Sequence, residues 1–233
     1  MNLLAFELAT EACSVALSCN GVLLLRHEIA PRRHAELALP WADALLAEAG
    51  IGKAGLDALA VGIGPGAFTG VRLAISLVQG IALALDRPVL PVSTLAALAQ
   101  PFVAEGPVLA AIDARMGELY LGEFTADADG LPQAIGGETL RPADARAASA
   151  RSSARIGVGS GFAASDWADA LTPALVRIDL KALPSAAAVA RIALRDLRAG
   201  GGVAPERVEP RYLRDKVALT SAEQASARSK RDT

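Results

Sequence analysis

The first thirty positions carry the hydrophobic pattern of three consecutive strands. Residues 3–8 run apolar except for Glu7, and Cys13 to Ser18 alternate with period two, so the two segments predict a hairpin across residues 9–12. Asn20-Gly21 is a turn dipeptide leading into a third strand over residues 22–29. Leu37, Trp41, Leu45 and Glu48 then recur at helical spacing, which with Pro31 ahead and Gly50 behind predicts a helix over residues 32–49. A strand over 56–63, a glycine-rich loop over 62–70, a helix to about residue 85, a strand over 88–92 and a helix over 94–103 follow. The order βββαβαβα implies a mixed sheet with helices covering its faces, an α/β architecture.

The pattern then repeats. Residues 108–115 resemble the opening strand, again reach an acidic residue, and are again followed by an alternating segment, residues 118–124. Glu7 and Asp113 correspond. The simplest account is two similar lobes, residues 1–103 and a more degenerate 104–219. The second lobe carries a strand over 155–158 and a helix over 185–198, with Pro184-Ser185 ahead and Gly200-Gly201-Gly202 behind. Residues 220–233 are polar and aperiodic, the pattern of a frayed tail.

Composition narrows the class. Of 233 residues 52% are apolar, but only 4% are aromatic and alanine supplies about a fifth, so close-packed alanine-rich helices are expected. The longest apolar stretch, residues 73–85, is broken by Ser76, Gln79 and Gly80 and falls short of the ~20 residues of a membrane span. The N-terminal segment lacks the basic region of a signal peptide, so no membrane association is expected. A net charge of -2 gives no global attraction to a phosphate backbone. Cys13 and Cys19 form neither a disulfide framework nor a zinc ribbon, which points to a reducing cytoplasm, with Cys13 a small core hydrophobe.

The glycine loop is the sharpest local signal. Gly62, Gly64 and Ala67 satisfy a GxGxxA spacing between strand and helix, but Asp86 precedes the next strand instead of ending it, and no Lys-Ser/Thr follows the glycines. Dinucleotide and P-loop readings both fail. A loop that faces an anion at a helix N-terminus, or a tight turn requiring glycine, both stay open. The helix after it carries one polar stripe, Arg72, Ser76 and Gln79, and is otherwise apolar, so it is expected to be covered on more than one side, the second cover being another subunit in preference to another part of this chain. The preceding helix, with His34 and Trp41, is its expected neighbour. His34 has Ala38 one turn on, so that helix offers no metal pair, and no nucleophile elbow is present. Glu7 and Asp113 either face each other across an interlobe cleft or cap their own hairpin turns. Arg141, Arg146, Arg151 and Arg155, and the group Arg211, Arg214 and Lys216, read as scattered solvated cations.

The segments ELATEACSVAL, PRRHAELALP, GIGPGAFTGVRLAISLVQGIALAL, PVSTLAALA, AIDARMGELYLGEF and EPRYLRDKVA together resemble the TsaB (YeaZ) family, collinearly to about residue 218. The resemblance implies an actin-like, Hsp70-like, sugar-kinase-like (ASKHA) fold of two similar lobes. It implies a role in making N6-threonylcarbamoyladenosine beside the tRNA anticodon, where TsaD transfers the threonylcarbamoyl group together with TsaB and the ATPase TsaE. TsaD-like sequences carry two metal-binding histidines after the strand PVLPV; the aligned positions here are Thr94 and Leu98. What is implied is a non-catalytic scaffold that binds TsaD or a second copy of itself and meets tRNA only through the complex. Its expected interface comprises His34, Leu37, Trp41 and Leu45 on one helix, with Thr69, Arg72, Ile75, Ser76, Gln79 and Leu83 on the next. A vestigial nucleotide cleft would hold Glu7, Thr10, Gly64, Gly66 and Asp113, with ATP or ADP and Mg bound only at a composite site with partners. The family usually has Asp where this chain has Glu7. The alternatives are a small-molecule kinase of the same superfold or a glycoprotease-like hydrolase.

Overall fold

The alternating segment after the first turn is buried on both sides, and this sets the layering of the molecule. A computed structural model of the chain describes residues 1–143, 155–163 and 175–214. Strands β1 (Leu3–Glu7), β2 (Ala12–Cys19), β3 (Val22–Ile29), β4 (Ala58–Gly62) and β5 (Val89–Val92) form one sheet in the order β3-β2-β1-β4-β5. All eight residues of β2 are buried, as are all of β1 and β4.

The two faces of this sheet differ in side-chain size. Leu4, Phe6, Val15, Leu17, Leu59 and Val61 point to one face and pack against α1 (His34–Glu48) and α2 (Phe68–Leu85). On the other face Ala5, Ala16, Ala58 and Ala60 meet α4 (Ala186–Arg198), whose own contacts are largely alanines, and α3 (Thr94–Ala99) packs beside α4 in the same apolar cluster. Small residues on both partners let helix and sheet approach closely. The polar positions of β2 belong to this face: Ser14 accepts a hydrogen bond from the Ala186 amide at the start of α4, 2.9 Å. Period two in β2 therefore separates two buried faces, not a buried one from a wet one.

The second sheet repeats the connectivity. Strands β6 (Val108–Arg115), β7 (Glu118–Ala126), β8 (Pro132–Ala134), β9 (Thr139–Pro142), β10 (Ile156–Val158) and β11 (Arg177–Asp179) form a sheet in the order β11-β10-β6-β7-β8, with β9 also on β7. As β1 pairs antiparallel with β2 and parallel with β4, so β6 pairs antiparallel with β7 and parallel with β10. Two mixed sheets flanked by helices, joined by one apolar cluster containing α3, α4 and β6, make an actin-like fold.

Several elements depart from the sequence reading. The helix after β5 is shorter than residues 94–103: α3 ends at Ala99, and a 3₁₀ turn occupies Val103–Glu105. The helix grouped with the second lobe, α4, lies against β1, β2, β4 and β5 of the first sheet. Leu45 and Ile75, expected at an interface, are 0% and 4% exposed and belong to the core. Helical spacing identified one stripe on each helix but not which stripe faces the sheet. Arg146, Arg151, Lys216 and the tail over 220–233 lie outside the described residues.

After α4 the chain recrosses the molecule. Val203 and Val89 exchange backbone hydrogen bonds of 2.9 Å, a 3₁₀ turn at Pro205–Arg207 lies on α2, and residues 208–214 run on to the second sheet. This strap supplies part of the second cover of α2. Truncating Leu45 or Ile75 to alanine should each cost about 2–5 kcal/mol, whereas Ser76→Ala on the exposed side of α2 should stay within about 0.5 kcal/mol; urea unfolding of the three variants checks this.

Candidate functional site

Glu7 ends β1 with its carboxyl wholly buried. One oxygen accepts from the Ala9 amide at 2.9 Å and the other from the Thr94 hydroxyl at 3.1 Å. Thr94 in turn accepts from the Gly64 amide at 3.1 Å and returns its own amide to the Gly64 carbonyl at 2.9 Å. Loss of hydration on burial raises the Glu7 pKa to about 7, opposed by the hydrogen bonds from Ala9, Thr94 and Leu8. A Cβ on Gly62 would sit 1.9 Å from a Glu7 oxygen, so glycine at the end of β4 is the space the carboxyl fills.

The other loop glycines are committed to packing as well. A Cβ at Gly66 would lie 2.4 Å from the Ala9 carbonyl oxygen and one at Gly70 2.1 Å from that of Leu8, while the Ala67 amide donates to Ala9 at 2.7 Å. Of the two readings of the loop, the tight turn is the one the geometry supports: it presses against the β1–β2 turn. The second lobe repeats the device, with Gly159 and Gly161 pressed against Ala111 of β6.

Between the lobes lies a cleft of about 900 Å³. Its walls include Thr10, Gly66 and Thr69 on one side and Asp113, Arg115 and Ser160 on the other, with Arg211 to Arg214 along its edge. Of the five residues expected there, Thr10, Gly66 and Asp113 line it; Glu7 and Gly64 do not, because the glycine loop covers them. Asp113 accepts from the Arg115 amide at 2.8 Å and pairs with its guanidinium at 3.1 Å. Each acidic residue of the repeat therefore braces its own hairpin turn. His34 Nε2 faces the carbonyls of Thr10 and Ala12 at 3.0 and 3.2 Å, so it carries the proton and clamps the β1–β2 turn. Cys13 is buried in the core, and burial, with Glu28 nearby, pushes its thiol up to about 11.

The remaining residues of the expected interface distribute unevenly. Leu37 and Trp41 of α1 and Leu73, Leu77 and Ile81 of α2 sit half-buried at the outer margin of the core. Ser76, Gly80 and Ala84 recur every fourth position on the exposed side of α2, and nothing lies within 4 Å of where a Gly80 Cβ would be. Thr69 and Leu83 are exposed. Arg72 and Gln79 instead hold the strap. The Gln79 amide donates to the Pro205 and Val208 carbonyls at 2.9 and 3.2 Å, and Arg72 donates to the Tyr212 hydroxyl at 2.6 Å while lying 4.0 Å over the Phe68 ring. Arg211 and Arg214, read as solvated cations, are bonded through their side chains to Glu138 and Glu118. The sequence signal was the tyrosine between two arginines in a segment without periodicity.

Comparison with known proteins now decides the family. The chain is 40% identical over 227 residues to the tRNA threonylcarbamoyladenosine biosynthesis protein TsaB of Escherichia coli, covering 94% of this chain and 96% of that one. The chain belongs to the TsaB (YeaZ) family. The solved structure of YeaZ from Pseudomonas aeruginosa superposes with a TM-score of 0.82 at 42% identity, over 91% of this chain and 99% of that one. Residues 27–222 also match the family model described as TsaD, tRNA N6-adenosine threonylcarbamoyltransferase. A transferase of that name from Novosphingobium aromaticivorans is 44% identical over 68 residues, 29% of this chain and 19% of that one.

In this TsaB-family chain Thr94 and Leu98, the two positions expected to match the transferase histidines, are interior. Thr94 belongs to the Glu7 network and Leu98 is 1% exposed in the shared core. Among the described residues no three His, Cys, Asp or Glu side chains come together as metal ligands would. The donor set at Thr94 and Leu98, one hydroxyl already bonded and one hydrocarbon, does not fit a bound metal ion.

The buried carboxyl makes stability depend on pH. Glu7 titrates near 7 when folded and near the ordinary 4.5 when unfolded, so the folded protein keeps a proton that the unfolded chain has lost, and stability falls as pH rises from 4.5 through 7. Glu7→Gln removes this slope. Its stability relative to the parent should rise by up to about 3 kcal/mol between pH 5 and pH 8, read from urea midpoints at the two values.

Proposed function

We propose that this chain is a non-catalytic scaffold of tRNA N6-threonylcarbamoyladenosine formation, which binds and stabilises the TsaD transferase through the outer faces of α1 and α2. The carrying observation is the exposed row Ser76, Gly80 and Ala84 flanked by half-buried Leu73, Leu77 and Ile81, a surface on which another helix can lie close to the α2 backbone. Glycine in an exposed helix interior costs about 1 kcal/mol relative to alanine, and close approach of a partner gives that cost a purpose. A second copy of the chain can use the same face, so a homodimer competes with the heterodimer.

The absence of chemistry in this scaffold has physical support. Glu7 is enclosed, Asp113 is held by its own turn and Arg115, and the loop amide of Ala67 is taken up by Ala9. Nucleotide and Mg then enter only at a composite site assembled with TsaD and TsaE, and tRNA is reached through the complex in the cytoplasm.

The interface is tested on the surface of α2, since a charge at Ile75 would enter the core. Ser76→Arg should abolish co-elution with the TsaD transferase in gel filtration while leaving the thermal midpoint of the isolated chain within a few degrees; undiminished co-elution rejects the interface. The interlobe cleft supports a second reading, a small-molecule kinase. Calorimetric titration of the isolated chain with Mg-ATP separates the two: the scaffold gives no saturable heat, the kinase does.

A further inference from the structure

Residues 203–214 touch both lobes alternately. On the first lobe, Val203 bridges to β5, Val208 enters the core, the Arg211 amide donates to the Ile63 carbonyl at 2.8 Å, and Tyr212 stacks on Phe68 with a centroid separation of 6.1 Å. On the second, the Arg211 guanidinium meets Glu138 at 3.0 Å, and Glu138 also accepts from Ser93, the N-cap of α3. Arg214 spans the tip of the β6–β7 hairpin. Arg115 and Met116 both have positive φ there, and Arg214 donates to the Ala114 and Arg115 carbonyls at 3.0 and 3.3 Å and to the Glu118 carboxylate at 2.6 Å.

We infer that this segment is an interlobe latch, in which Arg211 and Arg214 fix how far the cleft opens while Arg72 and Gln79 fix the segment to α2. The physical contrast lies in the kinds of contact that join the lobes. Away from the mouth the joint is mainly the apolar cluster of α3, α4 and β6, with one ion pair between Arg195 of α4 and Asp127 after β7; apolar contacts are non-directional, so they tolerate a small rotation of one lobe on the other. At the mouth the joint is ionic and, at Arg214, directional. Arg214 donates to two hairpin carbonyls and to the Glu118 carboxylate, bonds that lose geometry steeply when the lobes turn, while Arg211 forms an ion pair with the buried carboxylate of Glu138. The latch thereby holds an actin-like cleft at one opening. It also couples two surfaces: the segment that closes the cleft mouth is seated on the helix whose outer face carries the exposed small-residue row.

Distance measurement by electron paramagnetic resonance tests the latch on the full chain. Spin labels go on Glu36→Cys in the first lobe and Arg141→Cys in the second, both exposed positions, while Cys13 and Cys19 are buried and stay unlabelled. With the latch intact a single narrow distribution is expected; in the R211A/R214A background it should broaden and shift to longer distance. An unchanged distribution overturns the proposal. Should R211A/R214A fail to fold, R211K/R214K carries the test, because each lysine keeps the charge but loses the fork of the guanidinium. An intermediate broadening supports the latch, and a distribution identical to the parent overturns it.

Discussion

Burial of the first sheet on both faces is the constraint from which the rest of this structure follows. A sheet covered on one side can spend its alternate positions on polar side chains; here every residue of β1, β2 and β4 must be accommodated inside. The chain meets this by giving the faces different sizes. Leucine, valine and phenylalanine fill the space beneath α1 and α2, and alanine admits α4 at close range. Alanines of that second face meet alanines of a helix from late in the chain, which returns to the first sheet there.

The same shortage of space accounts for the glycine loop and for Glu7. A carboxyl at the end of β1 has no water, so it is satisfied by an amide of its own turn and by the hydroxyl of Thr94, and Gly62 leaves the volume it occupies. The glycines that follow let the loop press on the β1–β2 turn, and His34 clamps that turn from the other side. A segment whose spacing resembles a phosphate cradle is used as a wedge between strand ends. The cleft beside it inherits hydroxyls and guanidiniums but not the Glu7 carboxylate.

In the scaffold role proposed above, function rests on surfaces more than on reactive groups. The outer side of α2 divides between two tasks: Arg72 and Gln79 hold the returning chain, and the row Ser76, Gly80 and Ala84 stays open. Because α2 is apolar almost all round, it is also the one helix among the described residues long and apolar enough by composition to cross a membrane; its inner face lies on the first sheet with Val71, Ala74, Ile75, Val78 and Ala82 buried. The strap and the sheet together account for much of its apolar surface, and what remains is the docking face proposed above.

The order of elements over the first hundred residues, the hairpins at residues 9–12 and 20–21, the internal repeat and the family were legible in the sequence, because turn chemistry and periodicity are local and the motifs are specific; the short strands β8, β9 and β11 carry too few residues to show a period. Local patterns record which residues share a face of an element. They do not record what covers it. Leu45 and Ile75 sit on the same helices as the exposed residues around them, and only the packing of those helices on the sheet turns them inward. Arg211 and Arg214 are charged residues in an aperiodic segment, and nothing nearby in sequence announces partners such as Glu138 and Glu118 about a hundred or fewer positions away. The sequence by itself determined the elements of the first half, the repeated strand pair and the kinship of this protein. Tertiary structure alone decided which carboxyl is buried, which stripe of α2 is free and which arginines tie the lobes together, because those depend on contacts between segments that the chain brings together only by folding.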